Sequence, residues 1–545
     1  MVFTRPSRLA YTTSLHPAQA LDRPLQNHHL KSCGKGDLPA DLHLKVMDCV
    51  NGSIVTLEPQ MEYVALSYVW GNRDGQQRVS RRDVSPREPS EYPKLIQDAR
   101  TIVRELRFRY LWVDKYCINQ EDANELHGLF GRMHQIYEGA AVTVAAAGSD
   151  DAESGIPGVS DVPRRPQPRA YISGKWYVST LSDVGSALSS SRWKTRGWTY
   201  QEFVLSRRCL LFTKSQVYFV CRAGTQCEAV GGSLGIVHAK ETDRGAISSV
   251  FLGRTREPPK WNFLGERLPK PNTEFWSRVE QYTARQLTYP SDALNAFRGI
   301  LARAAYFSYW GVPIMIKPCE SEYAASSDLN AGFAFGLAWH GAMDKTWWDG
   351  RHDGVDEQEP GSATGSYSRC RDFPSWSWAG WKGARVLMQE YIAWDRELAS
   401  FNDFAKFWTE DGAGDLSTLL KVAPTKCLHE SSHVIQLENT VVRLRITWNG
   451  TRYSVWHPDK WHTEPFLRPA ATICQGYWAE RPASPWPAGI EFEAILLYHY
   501  TRFIGSCTLL LIEQHETAYE RVGLAWMDSD SFATLPATKR RIRLG

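Results

Sequence analysis

The sequence predicts an α/β fold: a parallel sheet with flanking helices, followed by a β-rich C-terminal domain. Three observations carry this reading. Residues 62–150 alternate short apolar, β-branched runs with segments of helical period, the order that gives parallel strands joined by right-handed crossovers. From about residue 330 onward, short apolar and aromatic runs follow one another as strands do. No stretch repeats at a fixed period, which argues against a solenoid or propeller.

The elements follow in order. "EYVALSYVWG" (62–71) is a strand closed by Gly71. After the polar loop 72–90, Pro93 opens a helix with Leu95, Ile96, Ala99, Ile102, Val103 and Leu106 at helical spacing. Residues 109–114 make the second strand, residues 121–138 a helix with Leu126, Leu129, Phe130, Met133 and Ile136 on one side, and "AVTVAAAG" the third strand. Residues 151–170, rich in Gly, Pro and Arg, read as a loop. Next come a helical block in "SRWKTRGWTYQEFVLS", a strand pair in "RRCLLFTKSQVYFVC", a poorly patterned insertion at 228–270 and a helical run from Phe275 to Leu301. The later strands are "FAFGLAWHG", "FPSWSWAGW", "VVRLRITWNG", "EAILLYHYT", "CTLLLIEQ" and "RVGLAWMD". The organisation predicted is a partly disordered leader (1–45), an α/β core (46–160), a segment of helices and a strand pair that completes that core's domain (161–300) and the β-rich domain (301–545).

Composition narrows the function classes. At 545 residues and 43% hydrophobic the chain can bury full cores. A net charge of +3 gives no electrostatic footprint for nucleic acid. The 11 cysteines form no framework, which points to a reducing, cytoplasmic setting, and neither the spacing of Cys221 and Cys227 nor that of His127 and His134 suits a metal. No stretch reaches the roughly 18 apolar residues of a membrane span. Residues 1–21 lack acids and carry Arg5 and Arg8, a composition shared by transit peptides and unstructured leaders.

In an open parallel sheet, ligands bind beyond the carboxyl ends of the strands. That places Ser67, Tyr68, Trp70 and Gly71, followed by Asn72 and Arg73, beside Asp114, Asn119 and Gln120. The Trp70 ring could stack on a base or plug the sheet's end; Gly71 would let the backbone approach a ligand, and Asn72 and Arg73 would hold phosphate. No G-x-G-x-x-G follows the first strand, which argues against a hydride-transfer module. Glu125 falls in the first turns of the second helix, where a carboxylate stays ionised; it suits stabilisation of an oxocarbenium-like transition state, or it is an ordinary solvated helix start. If the first two strands are parallel neighbours, Trp70, Asp114 and Glu125 share one cleft. Cys117 is either a nucleophile or a small buried residue. Arg196, Trp198, Gln201 and Glu202 form either a ligand clamp or an internal salt bridge.

Taken together, "YVALSYVWG", "LWVDKYCINQEDANE" with its following Met133 and Tyr137, "SRWKTRGWTYQEFVLSRRCLLF", "YPSDALNAFRGI" and "FPSWSWAGW" resemble, in this order, the fungal heterokaryon incompatibility (HET) domain proteins. The terminal "AYERVGLAWM" is similar to their C-terminal β region. The resemblance implies a fungal intracellular protein of nonself recognition whose HET domain triggers programmed cell death, with a second incompatibility protein or its own copies as partner. The HET core has been likened to the TIR fold, a flavodoxin-like arrangement whose enzymatic members cleave NAD with a glutamate. That likeness implies NAD as substrate, no prosthetic group, and Glu125 as catalytic residue, aided by Glu202. Where the family often has Gln four residues on, this chain has Leu129. The other class is a non-enzymatic signalling module that acts by self-association.

Overall fold

The structure is a computed structural model of the chain. It describes residues 2–3, 36, 38–71, 91–119, 121–179, 181–182, 184–221, 224–228, 271–304, 307–314, 329–341, 368–383, 386–388, 401–410, 414–417, 427–428, 432–448, 453–458, 470–473, 489–501 and 505–545. The chain divides into two compact units, residues 1–270 with 295–300, and residues 271–294 with 301–545.

The first unit is built on an 8-stranded sheet. Its strands are β1 (Lys45–Asp48), β2 (Ile54–Thr56), β3 (Tyr63–Ser67), β4 (Tyr110–Trp112), β5 (Val142–Ala145), β6 (Arg208–Phe212), β7 (Val217–Cys221) and β8 (Gly224–Cys227), in the spatial order β8-β7-β6-β5-β3-β4-β1-β2. The four central strands run parallel, in register Tyr63↔Tyr110, Val64↔Val142 and Thr143↔Cys209. Antiparallel strands flank them on both sides. The predicted parallel sheet is therefore present, widened into a mixed one.

Strand alternation sends the side chains to two apolar layers. Val64, Leu66, Leu111, Val113, Val142 and Val144 face α1 (Lys94–Glu105), whose Leu95, Ile96, Ala99, Ile102 and Val103 are fully buried. Tyr63, Ala65 and Trp112 face the other way, against Leu129, Met133 and Ile136. Burying each such aliphatic side chain contributes about 1.5–3 kcal/mol. α1 also buries Asp98, which accepts hydrogen bonds from the Ile156 amide (2.9 Å) and the Ser160 hydroxyl (2.7 Å) and pins the loop at 155–160 to the helix.

The helix expected at 121–138 is two helices, α3 (Ala123–Phe130) and α4 (Met133–Gly139), preceded by a single turn, α2 (Asp114–Cys117). The break falls at Gly131 and Arg132, where glycine lowers helical propensity and Arg132 reaches out to Asp41 (2.8 Å) and Gln135 (2.9 Å). α5 (Arg192–Thr195) and α6 (Trp198–Leu205) follow from the predicted helical block. Residues 295–300 belong to this unit: the Gly299 amide donates to Gln201 Oε1 (3.3 Å), Gln201 Nε2 donates to the Asn295 carbonyl (3.4 Å), and Phe297 stacks on Tyr200.

The second unit is β-rich. Strands β9 (Ile435–Trp448), β10 (Ile490–Tyr500), β11 (Ser506–His515), β12 (Ala518–Asp528) and β13 (Ala537–Leu544) close on themselves. The long β9 pairs with β13 through its first half and with β10 through its second, while β12 meets β13 at Tyr519↔Leu544. Val442, Leu444, Phe492, Leu496, Leu509 and Val522 share the apolar layer of this ring.

Two predicted strands of this unit differ from expectation. "FAFGLAWHG" holds the end of a helix (Leu329–Gly336) and only a short strand (Trp339–Gly341), because an unbroken buried run carries no period that separates the two states. "FPSWSWAGW" is mostly a tight turn. Its indoles are buried and donate to carbonyls, Trp376 to His433 (3.0 Å), Trp378 to Gly311 (2.7 Å) and Trp381 to Ser375 (2.7 Å), bonds that a strand ladder would not supply. The helical run at 275–301 is likewise interrupted, with Pro290 opening a separate 3-10 turn. No helix among the described residues is long and apolar enough to cross a membrane. The insertion from 229 to 270 and most of the leader lie outside the described residues.

Candidate functional site

β3 and β4 end at the same edge of the sheet. Their register, Ala65↔Trp112, brings Ser67 level with Asp114 two residues further on. Beyond Ser67 the chain continues through Tyr68 and Val69 to Trp70, which is 40% exposed, and turns at Gly71. Gly71 adopts a left-handed φ of 96°, and a side chain there would come within 3.2 Å of Asp151, so glycine fits on both counts.

Asp114 opens the single turn α2. The Trp70 indole donates to both of its carboxylate oxygens (3.1 and 3.0 Å), and the Lys115 amide donates to one (2.7 Å). The group is half-buried. Burial pushes its pKa up to about 6, against the opposing pull of these donors and of the Arg196 charge. The carboxylate is thus held by the Trp70 indole through both oxygens and by the backbone amide of the next residue.

Glu202, on α6, lies behind this pair and is almost wholly buried. The Ser67 hydroxyl donates to its carboxyl group, and the Trp193 indole in turn donates to Ser67 Oγ (2.8 Å). Tyr137, on α4, hydrogen-bonds Glu202 and donates to the Leu66 carbonyl (3.1 Å). Burial, reinforced by the charge of Asp114, raises the Glu202 pKa to about 8, so this acid keeps its proton at neutral pH. Two carboxyl groups that feel each other's field are thus held in different protonation states, the arrangement by which sites divide acid and base roles.

The Tyr68 hydroxyl is buried in the same field. It has no hydrogen-bond partner among the described residues, and burial, with the charges of Asp114 and Glu202 among its neighbours, keeps it firmly protonated. Arg196 supplies a positive field to both acids. Trp198 rests on Phe130 at 5.2 Å and packs with the apolar layer under α3 and α4.

Glu125 takes another position. Lys45, on the edge strand β1, donates to both of its oxygens (3.0 and 3.2 Å), the Asn119 amide approaches at 3.4 Å, and Asp122 caps the Glu125 amide (3.1 Å). Among the described residues its carboxylate is therefore engaged by a lysine and a backbone amide, whereas Trp70 binds Asp114. The Asn119 side chain accepts from the Glu121 amide (3.1 Å) and shapes the turn. Asn72, Arg73 and Gln120 lie outside the described residues.

Cys117 is not placed as a nucleophile. It is buried among apolar residues, the Val113 amide points at its sulfur (3.3 Å), and burial drives its pKa up to about 12. Sequence reasoning missed Tyr137 and Trp193 as site residues. Each is a large aromatic with a polar tip, which requires a hydrogen-bond partner when buried, and that was the available signal.

Comparison with known proteins adds one finding. The family model of the heterokaryon incompatibility protein (HET) matches residues 63–202, from the first residue of β3 to Glu202. No curated protein and no solved structure matches the chain.

Proposed function

Since residues 63–202 match the HET domain, we propose that the protein acts in heterokaryon incompatibility by hydrolysing the nicotinamide glycosidic bond of NAD in its α/β unit, with cell death as the outcome. The observation that carries this reading is the Trp70–Asp114 pair at the carboxyl edge of the parallel strands, backed by a neutral Glu202. The chemistry needs little. The C1′–N bond breaks with its electron pair going to nicotinamide, which leaves neutral and requires no acid. The sugar cation that remains is stabilised by a nearby negative charge.

Asp114, with a pKa near 6, is mostly ionised at neutral pH and supplies that charge; it then accepts the proton of the attacking water. The exposed Trp70 ring offers a face for nicotinamide. Glu202, protonated and buried behind the pair, leaves Asp114 as the ionised one of these two carboxyl groups. The likeness to the TIR fold favours Glu125 over Asp114 as the stabilising carboxylate, and the two assignments are separable by mutation. Signalling in the cytoplasm, with self-association or a second incompatibility protein as trigger, belongs to the same proposal.

A second reading, a non-enzymatic module, draws support from the closed network of Ser67, Trp193, Tyr137 and Glu202, which joins β3, α4, α5 and α6 as a structural lock would. The test is to incubate the purified chain with NAD and measure released nicotinamide. Loss of about 3 kcal/mol of electrostatic stabilisation in Asp114→Asn slows release on the order of a hundredfold. An equal loss in Glu125→Gln, with Asp114→Asn active, would transfer the role to Glu125. Release no faster than in a protein-free blank would leave the module as the surviving reading.

A further inference from the structure

Far along the chain, the closing ring of strands holds a second constellation of reactive groups. Ser529, the residue directly after β12, places its Oγ 2.5 Å from His499 Nε2, and His499 Nδ1 lies 3.9 Å from an Asp403 oxygen. The three come from separate segments: a strand-to-helix junction, the end of β10 and the loop after a short strand at Phe401–Asn402. We propose that Ser529, His499 and Asp403 form a nucleophilic hydrolase site that accepts carboxylic esters with small acyl groups.

The local structure supports this in four ways. Asp403 has a left-handed φ of 52°, unusual for a residue other than glycine, and Asn439 holds its carbonyl at 2.6 Å, so its position is fixed by the fold. The Asp403 carboxylate, at 3.9 Å too far for a hydrogen bond, sets its negative charge on the Nδ1 side of the ring, which suits the tautomer with Nε2 free to accept the serine proton. Gly505 lies so close that a Cβ there would come within 2.3 Å of the Ser529 hydroxyl, and its backbone walls one side of the nucleophile, which disfavours bulky acyl groups. Cys507, directly across from His499 on β11, is also within hydrogen-bonding reach of Ser529, but burial keeps its thiol protonated, so the hydroxyl is the group that reacts.

The reaction balances with the ester and water alone. Ser529 Oγ bonds to the ester carbonyl carbon as its proton passes to His499 Nε2; the C–O bond to the alcohol breaks, and the departing alkoxide takes that proton. Water, deprotonated by His499, then cleaves the acyl-serine, and Ser529 leaves with the proton returned from the imidazole.

The experiment treats the full chain with a fluorophosphonate probe, maps the adduct by peptide mass spectrometry and follows p-nitrophenyl acetate hydrolysis in parallel. The expected result is an adduct on Ser529, slowed about a hundredfold or more in His499→Gln. A smaller loss is expected in Asp403→Asn, because that carboxylate is 65% exposed. Ser531→Ala, which removes only a hydroxyl bonded to Asp528, should react as the parent does. If Ser529→Ala fails to fold, the adduct position in the parent and the His499→Gln rate still decide the matter. No adduct on Ser529 in the folded parent, or an adduct that forms equally fast in His499→Gln, overturns the proposal.

Discussion

Glu202→Gln tests whether the acid at the heart of the α/β unit is neutral. In the folded protein its pKa is about 8, against an ordinary value of 4.5. A carboxyl group whose pKa is raised by folding makes its full contribution below the unfolded value and loses it as pH climbs through the folded value. The native state should therefore lose stability between roughly pH 4.5 and 8, and at about 1.4 kcal/mol per unit the loss is on the order of 5 kcal/mol over that window. Glutamine has the same shape: its carbonyl accepts from Ser67, and its amide can donate to the Tyr137 oxygen that the carboxyl group faces. It cannot ionise, so this part of the pH dependence should vanish. Urea unfolding of both proteins at pH 5, 6, 7 and 8, followed by tryptophan fluorescence, gives the difference directly. Stability curves that run parallel across the four pH values would show that Glu202 is already charged in the fold, and the division of roles between Glu202 and Asp114 would fall with it.

Three further outcomes are expected. Asp114→Asn removes the negative charge that helps hold up the Glu202 pKa, so the upper edge of the window should move down in pH; an unmoved edge in the same urea series would mean that the two acids do not interact. Native protein exposed to a maleimide at pH 7.5 should leave Cys117 unmodified until it is unfolded, as read by peptide mass spectrometry, and rapid labelling of Cys117 in the folded state would restore it as a candidate nucleophile. Lys45→Met should cost less than about 1 kcal/mol in urea unfolding, because its pair with Glu125 is partly exposed on both sides; a loss of 3 kcal/mol would mark the pair as a buried lock.

The parts of the fold legible in the sequence are those in which local pattern and tertiary demand agree. β3, β4 and β5 are short, mostly apolar runs buried on both faces, and the face of α1 shows in the spacing of Leu95, Ile96, Ala99, Ile102 and Val103. Gly131 marks the break between α3 and α4, which the apolar spacing over 121–138 masks as one helix. The pairing of Trp70 with Asp114 followed from one topological rule, since both sit just beyond the carboxyl ends of neighbouring parallel strands. The Lys45–Glu125 pair was out of reach because Lys45 lies on an antiparallel edge strand that the βαβ pattern does not include. The network around Glu202 gathers Ser67, Tyr137 and Trp193 across the length of the domain, and no periodicity encodes such a meeting. Tryptophan-rich strands were overread for a related reason: an indole buried in a turn looks, in sequence, like one buried in a sheet.

The excursion of the chain between residues 270 and 295 bears on how the protein is made. The α/β unit takes back residues 295–300 only after the chain has entered the other unit. During synthesis, β3 through α6 can assemble early, but the Gln201 side chain, 1% exposed in the finished fold, lacks its partners at Asn295 and Gly299 until the ribosome has passed residue 300. An amide left unpaired in such a place costs about 1–3 kcal/mol. The nascent α/β unit thus cannot close over Gln201 without that penalty, and the step that completes it is coupled to translation of the first residues of the second unit.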